Sequence, residues 1–158
     1  MTMERVQTLK RNETKLIGYT VTASVNQDLE KRIIERLRDE LISKRHEISN
    51  RLDNDGMYLV QIYEDCEWTP DAPFESIVAV EVSNFDQIPD GFIRHTIPAG
   101  KYVKVTHKGP ESSIGETYDA IRENGIEHTR PFDFEYWADI NSLDQEENMI
   151  DIFLPLQD

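Results

Sequence analysis

The 158-residue chain contains a single cysteine, Cys66, and this scarcity excludes two kinds of site. One cysteine cannot form a disulfide within the chain, and it cannot supply a cysteine-based metal site. Cys66 follows Glu64-Asp65 and precedes Glu67, whose charges disfavour a thiolate, so we discount a nucleophilic role for it. The sequence is therefore typical of a reducing compartment, and the cytoplasm is the simplest expectation.

Long apolar runs are also missing from the chain. None approaches the roughly 18 residues that a membrane-spanning helix requires, so we expect no membrane association. The segment from Met1 to Arg5 begins no apolar stretch of the kind found in a secretory leader. With 38% hydrophobic and 30% charged residues, the composition is that of a soluble globular protein, and we expect residues 1–158 to form one domain.

Positive charge is scarce, because 17 Lys and Arg residues stand against 31 Asp and Glu residues and leave a net charge of −14. Such a surface repels a phosphate backbone, so direct binding to nucleic acid is not expected. It attracts cations, although it serves solubility equally well. We expect no metal and no cofactor, because no two histidines have ligand spacing on a predicted helix. The histidines are His46, His95, His107 and His128.

What the chain does contain is a repeated order of elements. The first half predicts a strand over 16–24, a helix over 28–49 and strands over 57–63 and 76–83. The second half predicts a strand over 101–107, a helix over 111–124 and strands over 132–139 and 148–154. Strand–helix–strand–strand thus occurs twice, at about 16–83 and 101–154, which indicates a tandem βαββ repeat of the α+β class. Two such units side by side would form an antiparallel sheet with two helices on one face and a concave ligand cleft on the other.

Both predicted helices are amphipathic. In the first, Leu29, Ile33, Leu37 and Leu41 recur every four residues and form an apolar stripe. Charged residues, Arg38 among them, occupy the other positions, and we expect most of them to be solvated partners of one another rather than parts of a site. The apolar stripe of the second predicted helix consists of Ile114, Tyr118 and Ile121.

The segment from Phe132 to Trp137 (FDFEYW) places four aromatic residues around two carboxylates. On a strand, Asp133, Glu135 and Trp137 share one face, and the alternate aromatic residues share the other. A carboxylate beside an indole is what a pocket for a cationic molecule needs, since ring faces and anions both attract positive charge. The alternative is an ordinary amphipathic strand with a solvated Glu135.

Face assignments extend this segment to a candidate ligand cleft. If the helices cover Val103 and Val105, then Tyr102 points away from them, toward the cleft. The further residues that the same rule and the flanking loop place at the cleft are Tyr63, Trp68, Glu135, Trp137 and Phe153. Desolvation there would raise the pKa of Glu135, which could then meet a cation or act as a general acid or base.

Several short motifs follow one another through the chain. They are Val80-Glu81-Val82-Ser83, Ile88-Pro89-Asp90-Gly91, Ile97-Pro98-Ala99-Gly100-Lys101-Tyr102-Val103, His107-Lys108-Gly109-Pro110, Gly115-Glu116-Thr117-Tyr118-Asp119, Asp133-Phe134-Glu135 and Ile150-Asp151-Ile152-Phe153-Leu154-Pro155. In this order they resemble the GyrI-like family, also called the AraC-type or bacterial transcription-activator effector-binding domain. The resemblance runs from about residue 4 to the C-terminus.

The resemblance implies a tandem SHS2-like fold with a central cleft for small, often cationic and lipophilic molecules. The central acidic residue of the family corresponds to Glu135. The family usually has a tyrosine two residues after that acid, where this chain has Trp137, which weighs against a catalytic role that depends on the tyrosine. In the family the domain is often the sensor half of a transcription factor, whereas we expect a stand-alone member here.

Three functions are consistent with these features. The first is a small-molecule-binding protein for lipophilic or cationic compounds, in which Trp68, Tyr102 and Trp137 stack on the ligand and Glu135 pairs with its charge. The second is a hydrolase of cyclopropane-bearing or similar electrophilic compounds, with Glu135 as general acid or base and Tyr102 assisting. The third is a protein-interaction role such as gyrase inhibition. We favour binding over catalysis, and the ligand, a protein partner and the oligomeric state stay open.

Overall fold

The computed structural model describes residues 3–48, 51–52, 56–62, 74–123, 132–140 and 142–156. Tyr63, Cys66 and Trp68 lie outside them. Within the described part of the chain, no helix is long and apolar enough to cross a membrane.

Eight strands and three helices are present in the described part of the chain. The strands are β1 Met3–Arg11, β2 Thr14–Ala23, β3 Met57–Ile62, β4 Phe74–Val82, β5 Ile93–Ile97, β6 Gly100–Lys108, β7 Phe132–Trp137 and β8 Met149–Pro155. The helices are α1 Val25–Lys31, α2 Ile33–Lys44 and α3 Ile114–Glu123. Single 3-10 turns follow α2 at Arg45–Glu47 and precede α3 at Glu111–Ser113. Val, Ile, Tyr and Phe dominate the central strands, as their preference for a pleated, buried surface predicts.

The eight strands form one antiparallel sheet in the order β1-β6-β8-β7-β3-β4-β2-β5. The order contains two similar units, β6-β8-β7 and β3-β4-β2, and in each unit the first strand of the sequence pairs with the last. The units meet where β3 pairs with β7 in the middle of the sheet. Because α1 and α2 connect β2 to β3, and α3 connects β6 to β7, the predicted tandem βαββ arrangement is confirmed.

The two edge strands lie outside the repeated units and are exchanged between them. β1 precedes the first unit but pairs with β6 of the second, and β5 precedes the second unit but pairs with β2 of the first. The sequence pattern predicts no strand at β1. An edge strand tolerates polar residues, so the apolar alternation that identifies a strand is weak in β1 (MERVQTLKR).

The helix predicted over 28–49 is divided in two at Arg32. Arg32 has φ 53° and ψ 46°, a left-handed conformation that costs a non-glycine residue about 1–2 kcal/mol. The Asp28 side chain compensates in part, because its Oδ1 accepts a hydrogen bond from Ile34 N at 2.7 Å in the first turn of α2. The four-residue apolar period runs across the break, which is why the sequence predicts a single helix.

The central strands of the sheet are buried on both faces. On the helix-facing side, Val103 and Val105 pack with Ile121 of α3, which is the condition from which the face assignments start. On the opposite side, Phe134 is fully buried and stacks on Phe153, with ring centroids 4.7 Å apart. A strand that is buried on both faces places any polar side chain it carries in a dry environment.

Candidate ligand-binding site

Glu135 lies in the middle of β7, at the centre of the sheet. It pairs with Leu59 of β3 and with Ile152 of β8, and its side chain faces the helices. Its surface is 3% exposed. The alternation of the strand explains this placement, because Phe134 and Tyr136 belong to the core on the opposite face. The strand pattern thus fixes a carboxyl group in the interior, near the junction of the two units.

Two hydrogen bonds from described residues orient the Glu135 carboxyl group, one on each oxygen. The Tyr118 hydroxyl of α3 donates to Oε2 at 2.6 Å, and the Trp137 indole Nε1 donates to Oε1 at 2.9 Å. Among the side chains that the structure describes, no Lys, Arg or His nitrogen lies within 4.0 Å of this carboxyl group. The hydrogen-bond donors described for it are therefore neutral, and the described side chains give it no ion-pair partner.

Burial raises the pKa of Glu135 from 4.5 to about 7. The hydrogen bonds from Tyr118 and Trp137 lower this pKa, since they favour the charged form, and the nearby carboxylates of Glu111 and Asp133 raise it further. At neutral pH the group is therefore poised between its neutral and charged forms. A positive charge brought into the site would favour the carboxylate and lower its pKa.

An arginine from the first unit covers the indole of Trp137. The Arg38 guanidinium of α2 lies 4.8 Å from the ring centroid, within the range of a cation–π contact. Its Nη1 forms an ion pair with Glu111 Oε2 at 2.7 Å, in the turn that precedes α3. Arg38 is only 8% exposed. A largely buried ion pair thus covers the indole and links the helical segments of the two units.

The motif around His107 positions α3 over the sheet. His107 on β6 is fully buried, with Nδ1 2.6 Å from Thr117 Oγ1 and Nε2 3.0 Å from the Pro110 carbonyl oxygen. Because a carbonyl oxygen only accepts, Nε2 carries a proton and donates to it. These contacts tie the turn before α3 and the helix itself to the sheet, and Tyr118, the next residue, is thereby held against Glu135.

The structure divides the residues predicted for one cleft between two faces of the sheet. Glu135 and Trp137 lie together under the helices, whereas Tyr102 and Phe153 lie on the opposite face. The prediction that all four line one cleft is therefore wrong. The strand pairing gives the reason: Phe153 is the direct partner of Phe134, paired residues share a face, and Phe134 alternates with Glu135.

Of the four predicted residues other than Glu135 and Trp137, two belong to the core of the opposite face and two lie outside the described residues. Tyr102 and Phe153 are 2% and 3% exposed and belong to the aromatic core on the face away from the helices. The Tyr102 hydroxyl donates to the Pro98 carbonyl oxygen at 2.6 Å, so its proton is already engaged within the chain. Tyr63 and Trp68 lie outside the described residues, and their role at the site stays a prediction.

Sequence-based reasoning misses two residues of the site, Arg38 and Tyr118. The sequence places Arg38 on the solvated face of its helix, yet Arg38 is buried. Its spacing from Ile34 and Leu41 is the signal that could have found it, since residues three and four apart share a helix face. Tyr118 stands on the apolar stripe of α3 with Ile121, and that position does direct its hydroxyl toward the sheet.

The sequence has recognisable relatives among characterised proteins. The family model described as "Cass2: Integron-associated effector binding protein" matches residues 9–156. The transcriptional regulator BrlR of Pseudomonas aeruginosa is 30% identical over 130 residues. That match covers 78% of this chain and 46% of the regulator, so the chain spans less than half the length of this curated relative.

Solved structures share the fold over nearly the whole chain. The structure of SAV2435 bound to tetraphenylphosphonium has a TM-score of 0.71 and 18% identity, over 98% of this chain and 94% of that chain. The integron cassette protein VCH_CASS2 of Vibrio cholerae has a TM-score of 0.65 and 16% identity, over 99% and 98% of the two chains. At these identities the likeness shows the common fold, and the fold class expected from the sequence is confirmed.

Proposed function

Since the chain belongs to the Cass2 family of integron-associated effector-binding proteins, we propose that it binds lipophilic organic cations beside Glu135. Its fold is that of the GyrI-like effector-binding domains that the sequence motifs predict, and a small-molecule-binding role follows from the family. The class of ligand and the position of the site belong to the proposal, which rests on the surroundings of one carboxyl group.

The observation that carries the proposal is a buried carboxyl group poised to ionise beside an indole. Glu135 is 3% exposed, burial raises its pKa to about 7, and its described hydrogen-bond donors are neutral. Removing a carboxylate from water is costly unless an opposite charge compensates. A ligand cation would supply that charge, and the Trp137 ring would supply an electron-rich apolar surface for its organic groups.

The ligand class follows from the same surroundings. The helix-facing core around Trp137 includes Met57, Leu59 and Ile150, so apolar side chains surround the indole beside Glu135. A cation that carries aromatic or alkyl groups would gain about 25 cal/mol for each Å² of apolar surface it buries, in addition to neutralising the carboxylate. Tetraphenylphosphonium, which is bound to the structural relative SAV2435, meets both requirements and is the probe used in the experiments below.

Isothermal titration calorimetry with tetraphenylphosphonium tests the proposal. At about pH 8, where Glu135 is charged, Glu135→Gln should weaken binding by about tenfold or more, because it keeps the shape of the side chain and removes its charge. Glu116→Gln is the matched control, since Glu116 is an exposed carboxylate on α3, and it should change the affinity by less than about twofold. Equal affinities of the wild type and Glu135→Gln would refute the proposal.

A second candidate function, hydrolysis of cyclopropane-bearing or similar electrophilic compounds, is favoured by one observation. A carboxyl group with a pKa of about 7 that accepts a hydrogen bond from Tyr118 at 2.6 Å is suited to general acid–base catalysis near neutral pH. Tyr102, the assistant that the sequence indicates, lies on the opposite face of the sheet, so Tyr118 takes that role in this hypothesis. Turnover that is lost in both Glu135→Gln and Tyr118→Phe would support hydrolysis, and its absence in the wild type would exclude it.

A further inference from the structure

Arg38 occupies the position that a ligand cation would take over the Trp137 ring. Its guanidinium lies 4.8 Å from the ring centroid, and cation–π contacts extend to about 6 Å. Two cations cannot share one ring face at that distance, because both need the same surface and their charges repel. The indole surface beside Glu135 is therefore covered by a cation of the protein itself.

The charge of Arg38 is balanced by Glu111 and not by Glu135. Arg38 Nη1 lies 2.7 Å from Glu111 Oε2, whereas Glu135 has no ion pair within 4.0 Å among the described side chains. The guanidinium thus covers the aromatic ring without neutralising the buried carboxyl group. A ligand that replaced it could satisfy both the ring and the carboxylate, which Arg38 does not do in the described structure.

We propose that Arg38 is a specificity-determining internal cation, which a ligand must displace from Trp137 before its own charge reaches Glu135. This inference rests on the proposed function, because it concerns the same site. Displacement breaks the contact with the indole and the short ion pair with Glu111, and its cost reduces the affinity of every ligand. The Glu111 side chain is 30% exposed, so water can solvate it once the pair is broken.

This cost selects among cations by the apolar surface they carry. A small hydrophilic cation brings a charge but little apolar surface, so it cannot offset the loss of a buried and paired guanidinium. A large aromatic cation brings its charge and also buries rings against Trp137 and the core around it. The wild-type chain should therefore exclude tetramethylammonium, whereas a chain without the Arg38 charge should admit it.

The main test compares Arg38→Met with Arg36→Met, which removes the same charge from an exposed position of α2. In calorimetric titrations, tetraphenylphosphonium should bind Arg38→Met about tenfold more tightly than the wild type, and Arg36→Met within about twofold of the wild type. Tetraphenylborate, an anion of nearly the same shape, should gain no affinity, because the altered site lacks a positive charge. Equal affinities of Arg38→Met and the wild type for tetraphenylphosphonium would overturn the proposal.

A measurement on the unaltered chain covers the case in which Arg38→Met fails to fold. In proton–nitrogen NMR spectra, the Nε–H signal of Arg38 should be displaced by the Trp137 ring in the free protein. At saturation with tetraphenylphosphonium it should move to the position typical of exposed arginines. A signal that keeps its position at saturation would contradict displacement of the guanidinium.

The outcomes separate this inference from the proposed function. If neither the wild type nor Arg38→Met binds tetraphenylphosphonium, or if Glu135→Gln binds it as the wild type does, the proposed function fails and the inference fails with it. If binding depends on Glu135 but is unaffected by Arg38→Met, only the inference fails. If Arg38→Met binds the cation and the wild type does not, no ligand displaces Arg38 in the wild-type chain, and both proposals fail.

Discussion

The two faces of strand β7 are similarly buried but differ in chemistry. On one face Phe134 is fully buried among other aromatic rings, and on the other Glu135 is 3% exposed beneath the helices. Burial of Phe134 favours folding, whereas burial of Glu135 opposes it unless the charge is neutralised or paired. The difference indicates that the face away from the helices stabilises the chain, while the helix-facing side maintains a costly group, as the proposed cation site requires.

Each face also has an arginine stacked on aromatic rings. Arg11 lies 4.6 Å from the Phe153 ring centroid, and Arg38 lies 4.8 Å from the centroid of an indole. Among the described contacts, Arg11 donates to hydroxyl groups such as Thr14 Oγ1 at 3.3 Å, whereas Arg38 forms an ion pair of 2.7 Å with Glu111. The helix-facing arginine therefore links the two units through charge, beside a carboxyl group that forms no ion pair with the described side chains.

Of the substitutions that test the difference between the two faces, removal of the Phe134 ring should change the free energy of unfolding most. Phe134→Ala should lower the free energy of unfolding by about 3–5 kcal/mol, because it leaves a cavity next to Tyr102 and Phe153. Urea denaturation followed by circular dichroism measures the change. A loss below about 1 kcal/mol would mean that the face away from the helices is not the stabilising core.

Replacement of Glu135 by glutamine should raise the stability of the chain, whereas Phe134→Ala should lower it. Its folded-state pKa of about 7 lies above 4.5, so the folded chain holds the proton more tightly than the unfolded chain does. The resulting stabilisation is fully present below pH 4.5 and is lost as the pH rises through about 7. At about 1.4 kcal/mol per pKa unit, Glu135→Gln should be more stable than the wild type by up to about 3 kcal/mol at about pH 8.

Denaturation of both proteins between about pH 5 and about pH 8 checks this dependence. The stability difference between Glu135→Gln and the wild type should grow across that interval, whereas the difference for the exposed control Glu116→Gln should stay nearly constant. If the stability difference between Glu135→Gln and the wild type is the same at about pH 5 and at about pH 8, the raised pKa of Glu135 is contradicted.

Removal of one hydroxyl group from each face should have the smallest effects. Tyr118→Phe removes a hydrogen bond that favours the charged form, so the pKa of Glu135 should rise and the affinity for tetraphenylphosphonium near pH 7 should fall by about 1–2 kcal/mol. Tyr102→Phe removes a hydroxyl bound to Pro98 on the other face and should leave both quantities unchanged. NMR titration of the carboxyl group measures the pKa, and an equal response to the two substitutions would show that the faces are not distinct.

Local alternation made part of the site predictable from the sequence. The segment from Phe132 to Trp137 predicts that Asp133, Glu135 and Trp137 share a face, and the structure confirms it, since the period of two depends on local backbone geometry. The repeated order of elements likewise predicts the tandem units of the sheet. Both features follow from residues that are close in the sequence.

Features that depend on distant residues could not be predicted in the same way. Whether Phe153 shares a face with Glu135 or with Phe134 is decided by the register of β7 and β8, and a shift of one residue reverses the answer. The burial of Arg38 depends on an ion pair with Glu111, which lies 73 residues away. A pattern within one helix contains no information about that partner.

The number of protons released on binding tests most directly whether Glu135 becomes charged when a cation enters the site. Titration of tetraphenylphosphonium at about pH 6, in two buffers of different ionisation enthalpy, gives this number. The wild type should release about one proton per cation bound, because Glu135 with a pKa of about 7 is mostly protonated at that pH, and Glu135→Gln should release almost none. A wild-type protein that binds the cation at about pH 6 without releasing a proton would contradict the central role of Glu135.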